Sequence, residues 1–135
     1  MNRYTLTLTF LLSLISFPSL GVDYDDLVDR DGLSYEKFTD VPYTGKVTGR
    51  VQGSMRNGRV EGEWAGYWDS GKLMWKGTYK NHQLEGEWLG YHENGQLSSK
   101  KTYKNGKEEG QWVRYHKNGQ LRSKVTYKNG KKISD

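Results

Sequence analysis

The residues best suited to binding chemistry are lysines that recur at a fixed spacing. They form two sets with an interval of 24 residues, namely Lys76, Lys100 and Lys124, and Lys80, Lys104 and Lys128. Cations that repeat at regular distances match a repeating anionic partner, such as phosphate groups. Lysine is also favoured on exposed strands, where it aids solubility and hinders strand pairing. The six lysines are therefore candidate binding residues, with a solvated protein face as the alternative.

Two other groups of residues are candidate metal ligands. His92 and His116 lie 24 residues apart, but together they supply only two ligands, and Trp68 occupies the equivalent position of the preceding unit. Asp29-Arg-Asp31-Gly32 has a weak likeness to a calcium loop but lacks its leading and closing carboxylates, so a turn is favoured. The sequence therefore predicts no metal and no other cofactor.

Catalysis finds no support in the residue pattern. The chain contains no cysteine, and its glutamates recur with the repeat at Glu63, Glu85, Glu87 and Glu109. An enzyme needs one asymmetric constellation, whereas a repeat distributes each residue type evenly. We therefore predict no catalytic residues and a protein that is not an enzyme.

Composition limits the chain to one domain or a short repeat array. It has 135 residues, of which 33% are hydrophobic and 13% aromatic. So few aliphatic residues would suggest disorder, but each Trp or Tyr ring can bury roughly 150 to 250 Å². Residues 22–61 carry 6 basic and 8 acidic groups, and residues 62–135 carry 14 and 8. The basic excess therefore lies in the second part.

A 24-residue unit repeats three times without a gap. The units begin at Gly62, Gly86 and Gly110, and each has Trp at its third position. Turn-forming pairs separate the strands at Asn57-Gly58, Ser70-Gly71, Asn81-His82, Asn94-Gly95, Asn105-Gly106, Asn118-Gly119 and Asn129-Gly130. Asn-Gly favours the type I′ turn of β-hairpins. We predict an all-β fold, an elongated single-layer antiparallel meander of stacked β-hairpin repeats.

The repeats occupy part of the chain, and we predict three regions. Residues 1–21 form an export signal, 22–61 an N-terminal capping hairpin with a degenerate repeat, and 62–133 the three repeats. Leu27 to Phe38, with Asp31-Gly32 at its turn, is the predicted capping hairpin. The lysines at 131 and 132 would protect the last strand from pairing.

Residues 1–21 have the features of a secretory signal peptide, as in an exported protein. Arg3 precedes the apolar stretch Leu6 to Phe17, and Ser19-Leu20-Gly21 offers small residues at the two positions that a signal peptidase reads. The predicted location is periplasmic or secreted. An uncleaved N-terminal membrane anchor is the alternative, although the stretch is short for a span of about 20 residues.

Alternation along the second strand of each unit predicts two different faces. Leu73, Trp75, Gly77 and Tyr79 share one side, and the candidate lysines lie on the other. The first strand is ambiguous because Trp64 and Tyr67 are three residues apart. A bulge at Gly66 or Gly90 would place them on one face, but Arg114 occupies the equivalent position of the third unit. The facing of Trp64, Trp88 and Trp112 therefore stays open.

The pattern YxxNGQLxSKxTYKNGKxxGxW, which starts at Tyr91, resembles the bacterial MORN-repeat variant of YwqK-type toxin–antitoxin antitoxins. The resemblance covers about Thr39 to Lys132, with departures at His82 and Trp68. It implies an elongated hairpin array that acts as a scaffold and contacts proteins or lipids. We expect an exported, antitoxin-like scaffold with a protein partner; the alternative is binding of anionic lipid, lipopolysaccharide or another envelope polyanion. Nucleic acid is not an expected partner.

Overall fold

The computed structural model describes residues 20–134, so nearly all of the predicted export signal lies outside the described residues. One short 3-10 helix (Tyr24–Asp26) follows the first strand. Among the described residues, no helix has the length and apolarity needed to cross a membrane. The strands are β1 (Val22–Asp23), β2 (Leu27–Arg30), β3 (Leu33–Glu36), β4 (Gly45–Thr48), β5 (Val51–Arg56), β6 (Arg59–Tyr67), β7 (Leu73–Lys80), β8 (Gln83–Leu84), β9 (Gly86–Tyr91), β10 (Leu97–Lys104), β11 (Lys107–Glu108), β12 (Gly110–Tyr115), β13 (Leu121–Lys128) and β14 (Lys131–Ser134).

Twelve of these strands form one sheet, in the order β1-β4-β5-β6-β7-β9-β10-β12-β13-β14, with β8 on β7 and β11 on β10. Neighbours from β4 to β14 are antiparallel, so the predicted all-β hairpin array is confirmed. The N-terminal end departs from a pure meander. There β1 pairs with β4 in parallel, and β2 and β3 form a separate two-stranded sheet.

Two kinds of turn alternate along the array. Asn57-Gly58, Asn81-His82, Asn105-Gly106 and Asn129-Gly130 have positive φ at both residues, as a type I′ turn requires. The expectation of the same turn at the other three pairs is wrong. There only Gly71, Gly95 and Gly119 have positive φ. In the first of these loops Gly71 N donates to Trp68 O (2.8 Å) and Trp68 N to Lys72 O (2.8 Å), which makes a wider loop. The two turn types explain why successive turns lie alternately 13 and 11 residues apart.

The first strand has no bulge at Gly66 or Gly90; the irregularity lies in the strand that pairs with it. Register shifts beside Tyr67, Tyr91 and Tyr115 leave one extra residue in the second strand of each unit, at Met74, Ser98 and Arg122. The bulge itself needs no glycine in the first strand, so Arg114 can occupy that position in the third unit. Gly66 is needed for another reason, since a Cβ there would lie 2.2 Å from Trp75 Nε1. Because Trp64 pairs directly with Gly77, Trp64 shares a face with Trp75 and Tyr79.

Full burial is confined to the N-terminal part of the sheet. Val47, Met55 and Trp64 are 3%, 5% and 3% exposed, and Leu27 of β2 packs against them. Backbone bonds hold the β2–β3 hairpin in place, with Ser34 N donating to Gly58 O (2.9 Å). No residue between positions 91 and 134 is buried. The hairpin therefore covers one end of the sheet, and the other end has no comparable cover within the described residues.

Candidate binding surfaces

Aromatic rings line one face of the sheet in three groups of contacting rings, namely Trp64 with Tyr79, Trp75 with Trp88, and Trp112 with Tyr103 and Tyr127. This aromatic face comprises Trp64, Trp75, Tyr79, Trp88, Tyr103, Trp112 and Tyr127. The rings of Trp75 and Trp88 stack at 6.2 Å between centroids, and Trp112 lies 4.7 Å from Tyr127. Since the ring surfaces contact one another, the rings act as the framework of the array rather than as separate platforms for a flat ligand.

Lys101 lies within the aromatic face. Its Nζ is 4.9 Å from the centroid of Trp88 and 4.7 Å from that of Trp112. Burial among the rings, with a smaller contribution from the charge of Arg114, lowers the pKa of Lys101, while Glu108 opposes that shift. Alternation along the strand predicts that Lys101, the equivalent of Gly77 in the preceding repeat, lies on this face. It does not predict that the cation lies between two tryptophan rings.

The opposite, polar face contains the candidate lysines. Strand pairing produces one cross-strand row, Ala65, Lys76, Leu89, Lys100, Val113 and Lys124. The structure thus brings three of the six candidates into a line, at intervals of roughly 10 Å. It does not bring the other three into that line, because Lys80, Lys104 and Lys128 are exposed at strand ends beside the tight turns.

Carboxylates accompany the lysine row in the first two repeats. Glu63 pairs with Thr78 and Glu87 with Thr102, whereas Gln111 pairs with Thr126 in the third. Lys100 Nζ lies 2.5 Å from Glu87 Oε1, and this hydrogen bond raises the pKa of Lys100. The row is therefore mixed in charge until the third repeat.

The basic excess belongs to the third repeat alone. Residues 62–85 contain three basic and three acidic groups, and residues 86–109 contain four of each. Residues 110–134 contain seven basic groups and no acidic group. The net charge of the whole array does not show this difference, whereas the net charge of each repeat does.

The recurrent glutamates and one histidine serve the framework. Glu85 Oε2 accepts a hydrogen bond from Asn105 N (2.7 Å), and Glu109 Oε2 accepts one from Asn129 N (2.9 Å). His92 Nε2 lies 3.0 Å from Tyr115 O. These contacts join one repeat to the next, which explains why the residues recur. Within residues 20–134, no group of three or more potential ligands among His, Cys, Asp and Glu could hold a metal ion.

A shallow groove of about 890 Å³ crosses the polar face where the first repeat meets the preceding strands. Its lining combines aliphatic, hydroxyl and charged side chains of both signs, including Ser54, Glu61, Lys76, Thr78 and Leu89. Neither the period nor the alternation of the sequence indicates this groove, because side chains of five neighbouring strands form it together.

Fold and surfaces together define a hairpin-repeat array with an aromatic framework face and a polar face. Three consecutive segments, residues 60–81, 84–105 and 108–129, match the family model described as a MORN repeat variant. The three repeats are therefore similar to those of the MORN repeat variant family, which generally serve as scaffolds and often mediate binding. No curated protein and no solved structure matches the chain.

Proposed function

We propose that the protein is an exported, non-catalytic scaffold that binds a segment of a protein partner in the groove on its polar face. The observation that carries the proposal is the lining of this groove, in which the apolar side chain of Leu89 adjoins Lys76, Thr78 and Glu61. Such a mixture of apolar contact, hydrogen-bonding groups and both charges fits a polypeptide. The carboxylates of Glu61, Glu63 and Glu87 would repel a polyanion at this place.

A non-catalytic role agrees with the framework contacts. Glu85 and Glu109 are hydrogen-bonded to turns, Glu87 is paired with Lys100, and His92 lies at a backbone oxygen. Side chains that hold a repeat array together are not free to form one reactive site. Binding is the activity that the remaining exposed surface supports.

An antitoxin-like or immunity-like role is the more specific form of the proposal. It rests on the resemblance of the repeat pattern to YwqK-type proteins and on the export signal expected in residues 1–21. The neutralised partner would then act outside the cytoplasm. A toxin gene adjacent to the gene of this protein would support the role, and the absence of any recovered stoichiometric partner would contradict it.

A matched pair of variants tests the groove. Leu89 and Val113 occupy the same position of the lysine row in successive repeats, each between two lysines, but only Leu89 lines the groove. We expect Leu89→Asp to abolish recovery of a stoichiometric protein from the native envelope and Val113→Asp to preserve it. In each variant the flanking lysines can accommodate the new carboxylate, so folding should be retained. Equal recovery by both variants would refute the groove as the site.

The third repeat favours a second candidate function, the binding of anionic lipid, lipopolysaccharide or another envelope polyanion. Residues 110–134 contain seven basic residues and no acidic residue, whereas the two repeats before them are balanced in charge. We expect Lys124→Gln with Lys128→Gln to weaken binding to vesicles of anionic lipid, with a steep salt dependence. The matched pair Lys76→Gln with Lys80→Gln should have little effect. Equal losses would instead support a ladder of lysines along the whole array.

A further inference from the structure

The side chain of Trp68 is not explained by the contacts that hold the repeats together. It occupies the position of His92 and His116 in the next two repeats. His92 Nε2 lies 3.0 Å from Tyr115 O, whereas Trp68 Nε1 is buried and has no hydrogen-bond partner within the described part of the chain. Leaving such an N–H unpaired costs free energy. Because histidine meets the needs of the framework at this position, the indole of Trp68 points to a different role.

Trp68 lines a cavity of about 520 Å³ beside the 3-10 helix. Tyr67, Val51 and Met74, which are partly buried, line the same cavity. Tyr24 of the helix adds a third ring and is 44% exposed. A cavity of this size with aromatic and apolar walls suits a small ligand. Tyr67 is the only lining residue that it shares with the groove on the polar face.

Acidic side chains outnumber basic ones around this cavity. Asp25, Asp69 and Glu93 line it and are exposed, and Arg50 is the one basic residue of its lining. Arg50 Nη1 pairs with Asp69 Oδ1, and its side chain is 71% exposed, so it does not fill the cavity. Three carboxylates and one guanidinium give the lining a net charge of −2, in a chain whose formal net charge is +5. The cavity therefore attracts cations and repels anions.

This combination of residues is not a product of the repeat. In the third repeat, the residues equivalent to Trp68, Asp69 and Met74 are all polar or basic. They are His116, Lys117 and Arg122. Met74 is also the extra residue of its bulge, and bulges often redirect a side chain at a functional site. The first repeat thus contains the kind of asymmetric constellation that a specific site requires.

We propose that this cavity binds an organic cation of the trimethylammonium type. The faces of Tyr and Trp rings attract such a cation, and the exposed carboxylates add to that attraction. The partly buried walls consist of rings and the apolar side chains of Val51 and Met74. A primary ammonium would leave N–H donors without acceptors against these walls, whereas a quaternary ammonium has no N–H to satisfy. Free choline and the headgroup of a choline lipid both present this group.

Titration calorimetry of the full chain with choline tests the site. We expect saturable binding of choline and no binding of its neutral carbon analogue, in which a carbon atom replaces the nitrogen. Trp68→His should raise the dissociation constant for choline by about tenfold or more, because the best ring for a cation is lost. This substitution copies the residue that the next two repeats have at the same position, so folding should be retained, and circular dichroism checks it.

Variants that change the charge of the lining provide matched controls. Glu93→Gln should raise the dissociation constant about twofold to threefold, because an exposed carboxylate contributes modestly. Lys117→Gln, at the equivalent position of the third repeat, should leave it unchanged. Arg50→Gln removes the positive charge of the lining and should lower the dissociation constant by about twofold. A gain in affinity of this kind would not follow from a purely structural role of these residues.

Flotation with phosphatidylcholine vesicles distinguishes the two sources of the cation. Saturable binding of free choline supports a soluble ligand, and flotation that Trp68→His abolishes supports a lipid headgroup. Failure to bind either one would overturn the proposal. Equal binding of choline and its neutral analogue would do the same, as would choline binding that Trp68→His leaves unchanged. Partner capture in the groove is measured separately with Leu89→Asp, so the two proposals can fail independently.

Discussion

The two ends of the array are built from the same strand pattern but differ in how much they bury. Around β4 to β7, Val47, Met55 and Trp64 are almost completely covered, with the β2–β3 hairpin contributing Leu27. In β12 to β14 no residue is buried, and Leu121 is 58% exposed. The 24-residue unit therefore supplies strand pairing and ring contacts, whereas full burial requires a covering element outside the repeat. We infer that stability decreases from the covered end to the open end.

The largest effect expected from this difference comes from removing the same tryptophan at each end. Trp64 is 3% exposed, whereas Trp112, at the same position of the third repeat, is half-buried. Trp64→Ala should lower the free energy of unfolding by about 3 to 5 kcal/mol, and Trp112→Ala by about half as much. Urea unfolding of both variants measures the difference. Equal losses would show that the repeats, rather than the covering hairpin, determine burial.

A smaller effect is expected where glycine allows a close ring contact. A Cβ at Gly77 would lie 2.7 Å from Trp88 Cδ1, whereas the third repeat has Val125 at this position, paired with Trp112. Gly77→Val should destabilise the protein by about 1 to 3 kcal/mol, because the indole must move. The reverse change, Val125→Gly, should cost about 1 kcal/mol. If Gly77→Val were neutral in urea unfolding, the ring packing of the covered end would be no tighter than that of the open end.

The glutamates that join successive repeats should contribute less. Glu85→Ala removes the acceptor of Asn105 N and should cost about 1 kcal/mol. Glu85→Gln keeps an acceptor oxygen and should cost less. Glu109→Ala, which releases Asn129 N, tests the equivalent contact nearer the open end. Thermal unfolding of the three variants compares them, and a larger loss for Gln than for Ala at position 85 would contradict the assigned role.

The smallest expected effect is a pH dependence that arises from Lys101. Burial lowers the pKa of Lys101 in the folded protein, so between that pKa and the ordinary value of 10.5 the unfolded chain binds more protons. The contribution of Lys101 to the free energy of unfolding therefore rises with pH across that interval. It is lowest at pH values where Lys101 is protonated in both the folded and the unfolded chain. Relative to Lys101→Gln, the unmodified protein should gain stability as the solution becomes alkaline.

Urea unfolding of both proteins at several alkaline pH values measures this gain. The pKa values of Tyr79 and Tyr103 are raised by burial, and their ionisation lowers stability at high pH. They are present in both proteins, so their effect cancels in the difference. A difference in stability that stays constant with pH would contradict the burial of the Lys101 cation.

The sequence predicted those features that depend on local pattern. The strands and the tight turns follow from alternation and Asn-Gly pairs, and alternation with the 24-residue period places Lys76, Lys100 and Lys124 on one face. That they form one row depends on the register of the strands. The extra residues at Met74, Ser98 and Arg122 were not predictable, because a bulge depends on how two strands align. The same holds for the groove beside Leu89, because its lining comes from several neighbouring strands at once.

Amide hydrogen exchange, followed by mass spectrometry along the chain, tests the difference between the two ends most directly. We expect the slowest exchange in β5 to β7, beneath the β2–β3 hairpin, intermediate rates in β9 and β10, and the fastest exchange in β13 and β14. The measurement should be made at low protein concentration and high salt, so that contacts between copies do not protect the open end. Equal protection along the whole array, or slower exchange in β13 than in β6, would contradict a stability that depends on the N-terminal cover.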